Sequence, residues 1–357
     1  MVLTSGRVRL VILTSCCTAV AACHARRSEG SASAGVSVEV ERLDSAANAI
    51  VPENATLQKL ATGYTWTEGP VWIRGGYLLF AEIPSNTIRK VAPGQPATIF
   101  LKPSGYLGGA PFGGREPGSN GMTLDAHGRL TVAGHGQRDV YRVDSLGDPG
   151  RHTILADSYQ GKRLNSPNDL VYRSDGSLYF TDPPYGLPMQ NDSDPGKELK
   201  VNGVYRLAGA LDQKPGAAPQ RDKLELLVSD LPRPNGIAFS PDEKFLYVSN
   251  TGPQKTWMRY PVKPDGSLGP GELFCDASSD TRAGNPDGIK VDRAGNVYGA
   301  GPGGVWIFSP AGKHLATVLV PEVVSNLNWG GPDGRSLFIT ASSSVYQMDL
   351  KVAAVRR

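Results

Sequence analysis

Ser166-Pro167-Asn168-Asp169-Leu170-Val171-Tyr172-Arg173-Ser174-Asp175-Gly176-Ser177-Leu178-Tyr179-Phe180-Thr181-Asp182 sets out, in order, a polar residue, a short apolar run, a turn bearing Asp and Gly, and a second apolar run. The same order returns from Asn120-Gly121-Met122-Thr123-Leu124, from Asn235-Gly236-Ile237-Ala238-Phe239 and from Asp287-Gly288-Ile289-Lys290-Val291. Weaker copies begin at Glu68-Gly69-Pro70-Val71-Trp72 and at Asn326-Leu327-Asn328-Trp329. Gly at the turn accepts a positive φ, and Asp bonds its own backbone two residues on, so each copy reads as two strands joined by a tight turn. The six polar anchors, at 68, 120, 168, 235, 287 and 326, are 39 to 67 residues apart. That spacing brackets the period of propeller blades.

The expected fold is therefore all-β, a six-bladed β-propeller with a central metal-binding channel. Further apolar segments between the copies, such as Asp139-Val140-Tyr141-Arg142-Val143 and Gly304-Val305-Trp306-Ile307-Phe308, supply the outer strands. The ring is expected to close by pairing Val38-Glu39-Val40 with residues 344–348 of the last blade. Trp72 and Trp329 fall at strand positions and belong to blade packing. The 43 Gly and 28 Pro among 357 residues, about a fifth of the chain, fit many turns between ordered strands, and a hydrophobic fraction of 39% can fill a core. One domain over residues 41–357 accounts for the length.

Residues 1–22 read as an export leader, with Arg7 and Arg9 ahead of an apolar run too short to span a bilayer. Val20-Ala21-Ala22-Cys23 has the form of a lipoprotein signal, which makes Cys23 a lipidation candidate and a membrane anchor; ordinary cleavage after a small residue is the alternative. Residues 23–40 read as a small-residue tether leading into the first strand. The expected location is the periplasm or cell envelope, and the expected state a monomer or weak dimer. Cys275 reads as a small packed hydrophobe. Formal charge is only +3, from 37 Lys and Arg against 34 Asp and Glu, with no basic cluster, so nucleic acid is excluded as a partner.

A polar residue at the head of each innermost strand brings six anchors to one end of a common axis. Two are carboxylates, Glu68 and Asp287, and four are amides, Asn120, Asn168, Asn235 and Asn326. Taken singly, Asn-Gly and Asp-Gly are ordinary turn dipeptides. Taken together, carboxylate and amide oxygens without His or Cys make a nest for a hard divalent cation, Ca²⁺ first, with Mn²⁺, Mg²⁺, Zn²⁺ and Fe²⁺ as other candidates.

The motifs Glu68-Gly69-Pro70-Val71-Trp72, Ser166-Pro167-Asn168-Asp169, Pro234-Asn235-Gly236 and Pro286-Asp287-Gly288 resemble the senescence marker protein/gluconolactonase-like hydrolases over roughly residues 60–345. The resemblance implies that Glu68, Asn235 and Asp287 hold one divalent metal and that Asn168 completes its shell or contacts substrate. It also implies hydrolysis of a sugar lactone. Animal-type lactonases of that family carry Arg two residues before the middle-blade Asn, where this chain has Ser166, with Arg163 upstream as a candidate substrate contact. The segment from Ser119 through His135-Gly136-Gln137-Arg138 resembles the bacterial gluconolactonase branch.

A metal-activated water attacking the lactone carbonyl, with Asp287 taking its proton, is the expected mechanism. Asn120 and Asn168 are expected to orient sugar hydroxyls or the carbonyl. His135, between Gly134 and Gly136, is a candidate base or hydrogen-bond donor, or a surface-loop histidine satisfied by backbone. Residues 101–118 and the Asp182-Pro183-Pro184-Tyr185-Gly186 turn are expected to form the rim, with Tyr185 stacking on the sugar or packing in the turn. Other esters or organophosphates on the same metal, and a non-catalytic propeller binding sugar or a protein, are the alternatives.

Overall fold

A computed structural model describes residues 1–2 and 35–355. The leader beyond its second residue, Cys23 and the first part of the tether lie outside the described residues. Among the described residues no helix is long and apolar enough to cross a membrane.

The six copies become the innermost strands of six antiparallel sheets ringed about one axis. These strands are Thr67–Ile73, Ser119–Leu124, Leu170–Tyr172, Pro234–Phe239, Ile289–Val291 and Val324–Gly330. Each is followed outward by three strands in antiparallel order, making a blade. Second strands such as Leu178–Asp182, Val297–Gly301 and Ser336–Ala341 are buried along their whole length, because a blade stacks on each of their faces. Such strands read as continuous apolar runs, whereas outer strands such as Glu272–Asp276 alternate with exposed positions.

Between the first two blades, Val71, Leu79 and Ala81 meet Met122, Leu130 and Val132. Each large side chain so buried contributes about 1.5–3 kcal/mol. Trp72 stacks on Phe338 with ring centroids 5.1 Å apart, and Trp329 meets Tyr298 edge-on at 5.0 Å, so both tryptophans do pack blades. Cys275 is half-buried beside the cluster of Tyr247, Phe274 and Phe308, and burial pushes its thiol up to about 11.

The closure differs from the expected one. Thr56–Thr62, not Val38–Val40, pairs with Ser344–Asp349, in the register Thr62↔Ser344, Ala61↔Val345, Lys59↔Tyr346. Only residues 63–66 separate Thr62 from the first innermost strand, and four residues reach at most about 14 Å. The strand before them is thereby held beside the last blade. Val40–Arg42 instead adds a fifth strand outside His314–Leu319 of the fifth blade, while Val36–Ser37 pairs with Thr56–Leu57.

Glu322 ties this seam together. Its Oε1 accepts from the Tyr346 hydroxyl at 2.6 Å, its Oε2 from the Ser343 amide at 2.8 Å, and Lys59 of the closing strand stands 3.4 Å away. Burial works against the charge, but hydrogen bonds from Ser344, Tyr346 and Ser343 outweigh it and hold the carboxyl down to about 2. A depressed folded pKa contributes stability above the ordinary value of 4.5 that is lost as pH falls toward 2. Thermal midpoints should therefore drop across that window, and Glu322→Gln should both lower the neutral-pH midpoint and flatten the drop. An equally steep acid loss in the variant would assign it to other groups.

Candidate functional site

The anchors reach the axis through local irregularities in strand pairing. The ladder of the innermost strand shifts register between Glu68 and Val71, between Ser119 and Met122, between Pro234 and Ile237, and between Val324 and Asn326. In the other two blades Asn168 and Asp287 stand just before the paired segment. An irregularity of this kind re-aims a side chain that regular pleating would send into the blade.

Neighbouring anchors are joined into a ring. Gly69, at φ +48°, sits so close to Asn120 that a Cβ there would strike the Asn120 carbonyl. The Gly121 amide donates to the Asn168 carbonyl at 2.7 Å, and the Gly288 amide to Ser325 at 2.9 Å. Hydroxyls on second strands hold the next blade's anchor: Thr181 donates to the Asn235 carbonyl and Ser249 to the Asp287 carbonyl, both at 2.7 Å. Asn326 completes the circle, its Nδ2 donating to Glu68 Oε2 at 3.1 Å while its Oδ1 accepts from its own blade's Leu327 amide. With both ends of its amide engaged, Asn326 orients Glu68.

Glu68 also accepts from the Gly69 amide at 2.8 Å. Burial, reinforced by the negative charges of Asp169 and Glu116, pushes its carboxyl up to about 8. Asp287 is driven well above the ordinary carboxylate range by burial, then by Glu68, Asp169 and Glu116. It nonetheless keeps a partly exposed surface at the mouth of the axis. A buried carboxylate raised by a second one at its side makes a pair in want of a cation.

The amides support that reading. Asn235 Nδ2 donates to Thr251 Oγ1 at 3.0 Å, which leaves its buried Oδ1 without a protein partner. Asn120 Nδ2 lies 3.1 Å from His135 Nε2, and the buried Asn120 Oδ1 is likewise unpartnered. Buried oxygens of this kind are costly unless a ligand meets them. Among the described residues no three His, Cys, Asp or Glu side chains cluster as a metal site by themselves. The donor set that fits is mixed, two carboxylates with amide oxygens, and suits a hard ion.

His135 is fully buried, not a surface-loop residue. Its Nδ1 lies 3.0 Å from Glu116 Oε2, on the residue 101–118 insertion. The imidazole thus stands between the Asn120 amide at Nε2 and the Glu116 carboxylate at Nδ1. The insertion is pinned by Asn86, whose Oδ1 accepts from the Gly105 amide at 2.7 Å and whose Nδ2 donates to the Tyr106 carbonyl at 2.7 Å. Glu116 escapes sequence reading because it lies in a Gly- and Pro-rich stretch without periodicity.

Tyr185 is half-buried and stands at the ring. Burial raises its hydroxyl, which bonds Thr251 and feels Asp287 and Glu116. Its loop is held by Ser166, the position that departs from the animal-type pattern. Ser166 Oγ donates to the Pro183 carbonyl at 2.5 Å and accepts from the Gly186 amide at 2.8 Å. The buried Asp182 carboxylate accepts the Asn165 and Ser166 amides at 2.7 and 2.8 Å, and its own pKa is pushed up to about 7 by burial. Asn168, next along, is buried with its backbone paired to Thr181.

Arg163 is not brought to the ring. It lies exposed on the hairpin of Ser158–Tyr159 and Lys162–Arg163, its guanidinium donating to the Gln137 carbonyl at 2.9 Å. There it borders an open cavity of about 370 Å³ lined also by Tyr106, Phe112, Gly136, Arg138 and Gly186.

The family model for the SMP-30/gluconolactonase/LRE-like region matches residues 66–343. The chain is 38% identical over 314 residues to a gluconolactonase of Zymomonas mobilis, covering 85% of this chain and 84% of that one. The solved structure of a gluconolactonase from Xanthomonas campestris aligns at 30% identity and a TM-score of 0.73, over 90% of this chain and 98% of that one. A calcium-binding regucalcin from Agrobacterium tumefaciens shares the fold, at 18% identity and a TM-score of 0.60, over 83% and 95%.

Proposed function

We infer that this chain, which belongs to the SMP-30/gluconolactonase/LRE-like family, is a lactone hydrolase that opens a sugar lactone of the gluconolactone type at the mouth of the propeller axis. The observation that carries the reading is the convergence of Glu68 and Asp287 with the unpartnered oxygens of Asn235 and Asn120. Glu68, Asn235 and Asp287, with Asn168 beside them, are the residues that would hold a divalent ion, Ca²⁺ by the hardness of the donors. Such an ion supplies Lewis acidity toward the lactone carbonyl and acidifies water.

The chain's own groups do the rest. The water oxygen adds to the lactone carbonyl carbon, the bond from that carbon to the ring oxygen breaks, and the ring oxygen takes a proton, giving the aldonic acid. Asp287, whose partial exposure supports the role, would accept the water's proton and return one to the leaving oxygen. Asn120 Oδ1, its amide steadied by His135 and Glu116, is free to accept from a sugar hydroxyl. Tyr185, tethered by Thr251, walls the same space. The leader at residues 1–22 would deliver this activity to the periplasm or cell envelope, with Cys23 as its lipid anchor.

The test is hydrolysis of glucono-1,5-lactone, followed by proton release, before and after chelation. Chelation is expected to lower the rate over spontaneous opening by about 10²-fold or more, and Ca²⁺ to restore it. Undiminished turnover in the chelated, metal-depleted protein would sink the metal assignment. No turnover of any lactone in a panel by metal-loaded protein would sink the hydrolase reading.

A further inference from the structure

Two charged residues at the axis have no part in the chemistry above. Asp169 follows Asn168 in the third blade and is almost wholly buried. Its Oδ1 accepts from the Leu170 amide at 2.8 Å, while its Oδ2 makes no hydrogen bond. Lys290 projects from the innermost strand of the fifth blade, three residues beyond Asp287. Its Nζ donates to the Ile289 carbonyl at 2.9 Å and stands 3.6 Å from Asp169 Oδ2. The two meet across the ring from sequence positions over a hundred residues apart.

An isolated buried carboxylate is expensive, and an ammonium near a bound cation is repelled by it. Neither residue belongs there alone. Glu68, Asp169 and Asp287 carry three negative charges when ionised, with Glu116 further out against His135, and Lys290 offsets the one that Asp169 contributes. Without Lys290 the charge of Asp169 would stand uncompensated beside Glu68 and Asp287.

We propose that Lys290 is a built-in counter-cation: its ammonium, set against Asp169, neutralises the third carboxylate of the axis and so limits both how tightly and how many divalent ions the ring holds. This rests on the divalent-ion reading of the ring. Lys290 is thus a positioning residue that touches neither lactone nor water.

Calcium titration of the full chain by calorimetry tests it. Wild type is expected to take one ion. Lys290→Met should tighten that binding by about tenfold or more, because a repelling charge is removed and a carboxylate is released. Lys290→Arg, which keeps the charge, should stay within about threefold of wild type, as should the double variant Lys290→Met/Asp169→Asn. Asp169→Asn alone leaves the ammonium in excess and should weaken binding by about tenfold, which keeps the question decidable if Lys290→Met does not fold. Unchanged or weaker affinity in folded Lys290→Met, or unchanged affinity in Asp169→Asn, overturns the proposal while leaving the metal site standing. Wild type that binds no Ca²⁺, Mg²⁺ or Mn²⁺ removes the divalent-ion reading, and this proposal with it.

Discussion

Asp287→Asn is expected to lower kcat/KM for a sugar lactone by about 10³-fold or more while leaving the propeller folded. The substitution preserves shape and removes one charge, so the packing of Gly236 against this segment is untouched. Two functions go with that charge. On the proposed divalent-ion reading, one of the two carboxylates that would hold the ion is lost, and so is the ionisable anchor with an accessible face.

A second readout separates this from general damage. In metal-free protein Asp287 is raised well above its ordinary range by burial and by Glu68, Asp169 and Glu116, so at neutral pH its ionisation opposes folding. A neutral amide relieves that opposition. The chelated variant should therefore melt at a higher temperature than chelated wild type, although it is nearly inactive. Equal kcat/KM would remove Asp287 from the reaction, and a lower chelated midpoint would mark the residue as structural.

The second large effect concerns closure. Removing residues 1–62 should abolish cooperative unfolding or lower the thermal midpoint by about 10 °C or more, whereas removing residues 1–38 should cost little. The longer truncation strips the strand that pairs with Ser344–Asp349 and takes away buried Ala47, Ile50, Val51, Ala55 and Leu57. At about 1.5–3 kcal/mol for each large apolar side chain, the loss is on the order of 5 kcal/mol before any ladder hydrogen bonds are counted. It also bares an edge that invites association, so size-exclusion profiles should broaden toward larger species. A removal of residues 1–42 that is as harmful as the longer one would return the closing role to Val38–Val40.

The repeats made the ring legible because each blade places its polar anchor at one fixed offset from an apolar run and a turn. Glu68 stood out for a further reason, being a poor turn former where its counterparts are Asn or Asp. The closing strand did not stand out. Thr56-Leu57-Gln58-Lys59-Leu60-Ala61-Thr62 mixes polar and apolar residues without the anchor motif, and its partner is decided by how short the following connection is. Glu116 and its contact with His135 were hidden because no periodicity leads into the insertion. The Asp169 and Lys290 pairing was hidden because both lie within recognisable copies, where they pass for repeat residues, and only ring closure sets them face to face. Arg163 looked like a site residue from its distance to Asn168 along the chain, but a separate hairpin carries it outward.

The hydroxyls of Thr181 and Ser249 each grip the anchor of the following blade. The consequence bears on how such a scaffold can change its diet. No blade owns its contribution to the centre, so exchanging a single blade for a foreign one would misplace the neighbour's anchor as well as its own. The stretches at residues 101–118 and 183–201 reach the neighbouring anchors through single residues, Glu116 by way of His135 and Tyr185 by way of Thr251, and are otherwise unconstrained by them. New substrates would come most readily by rewriting those overhanging loops above a centre inherited whole.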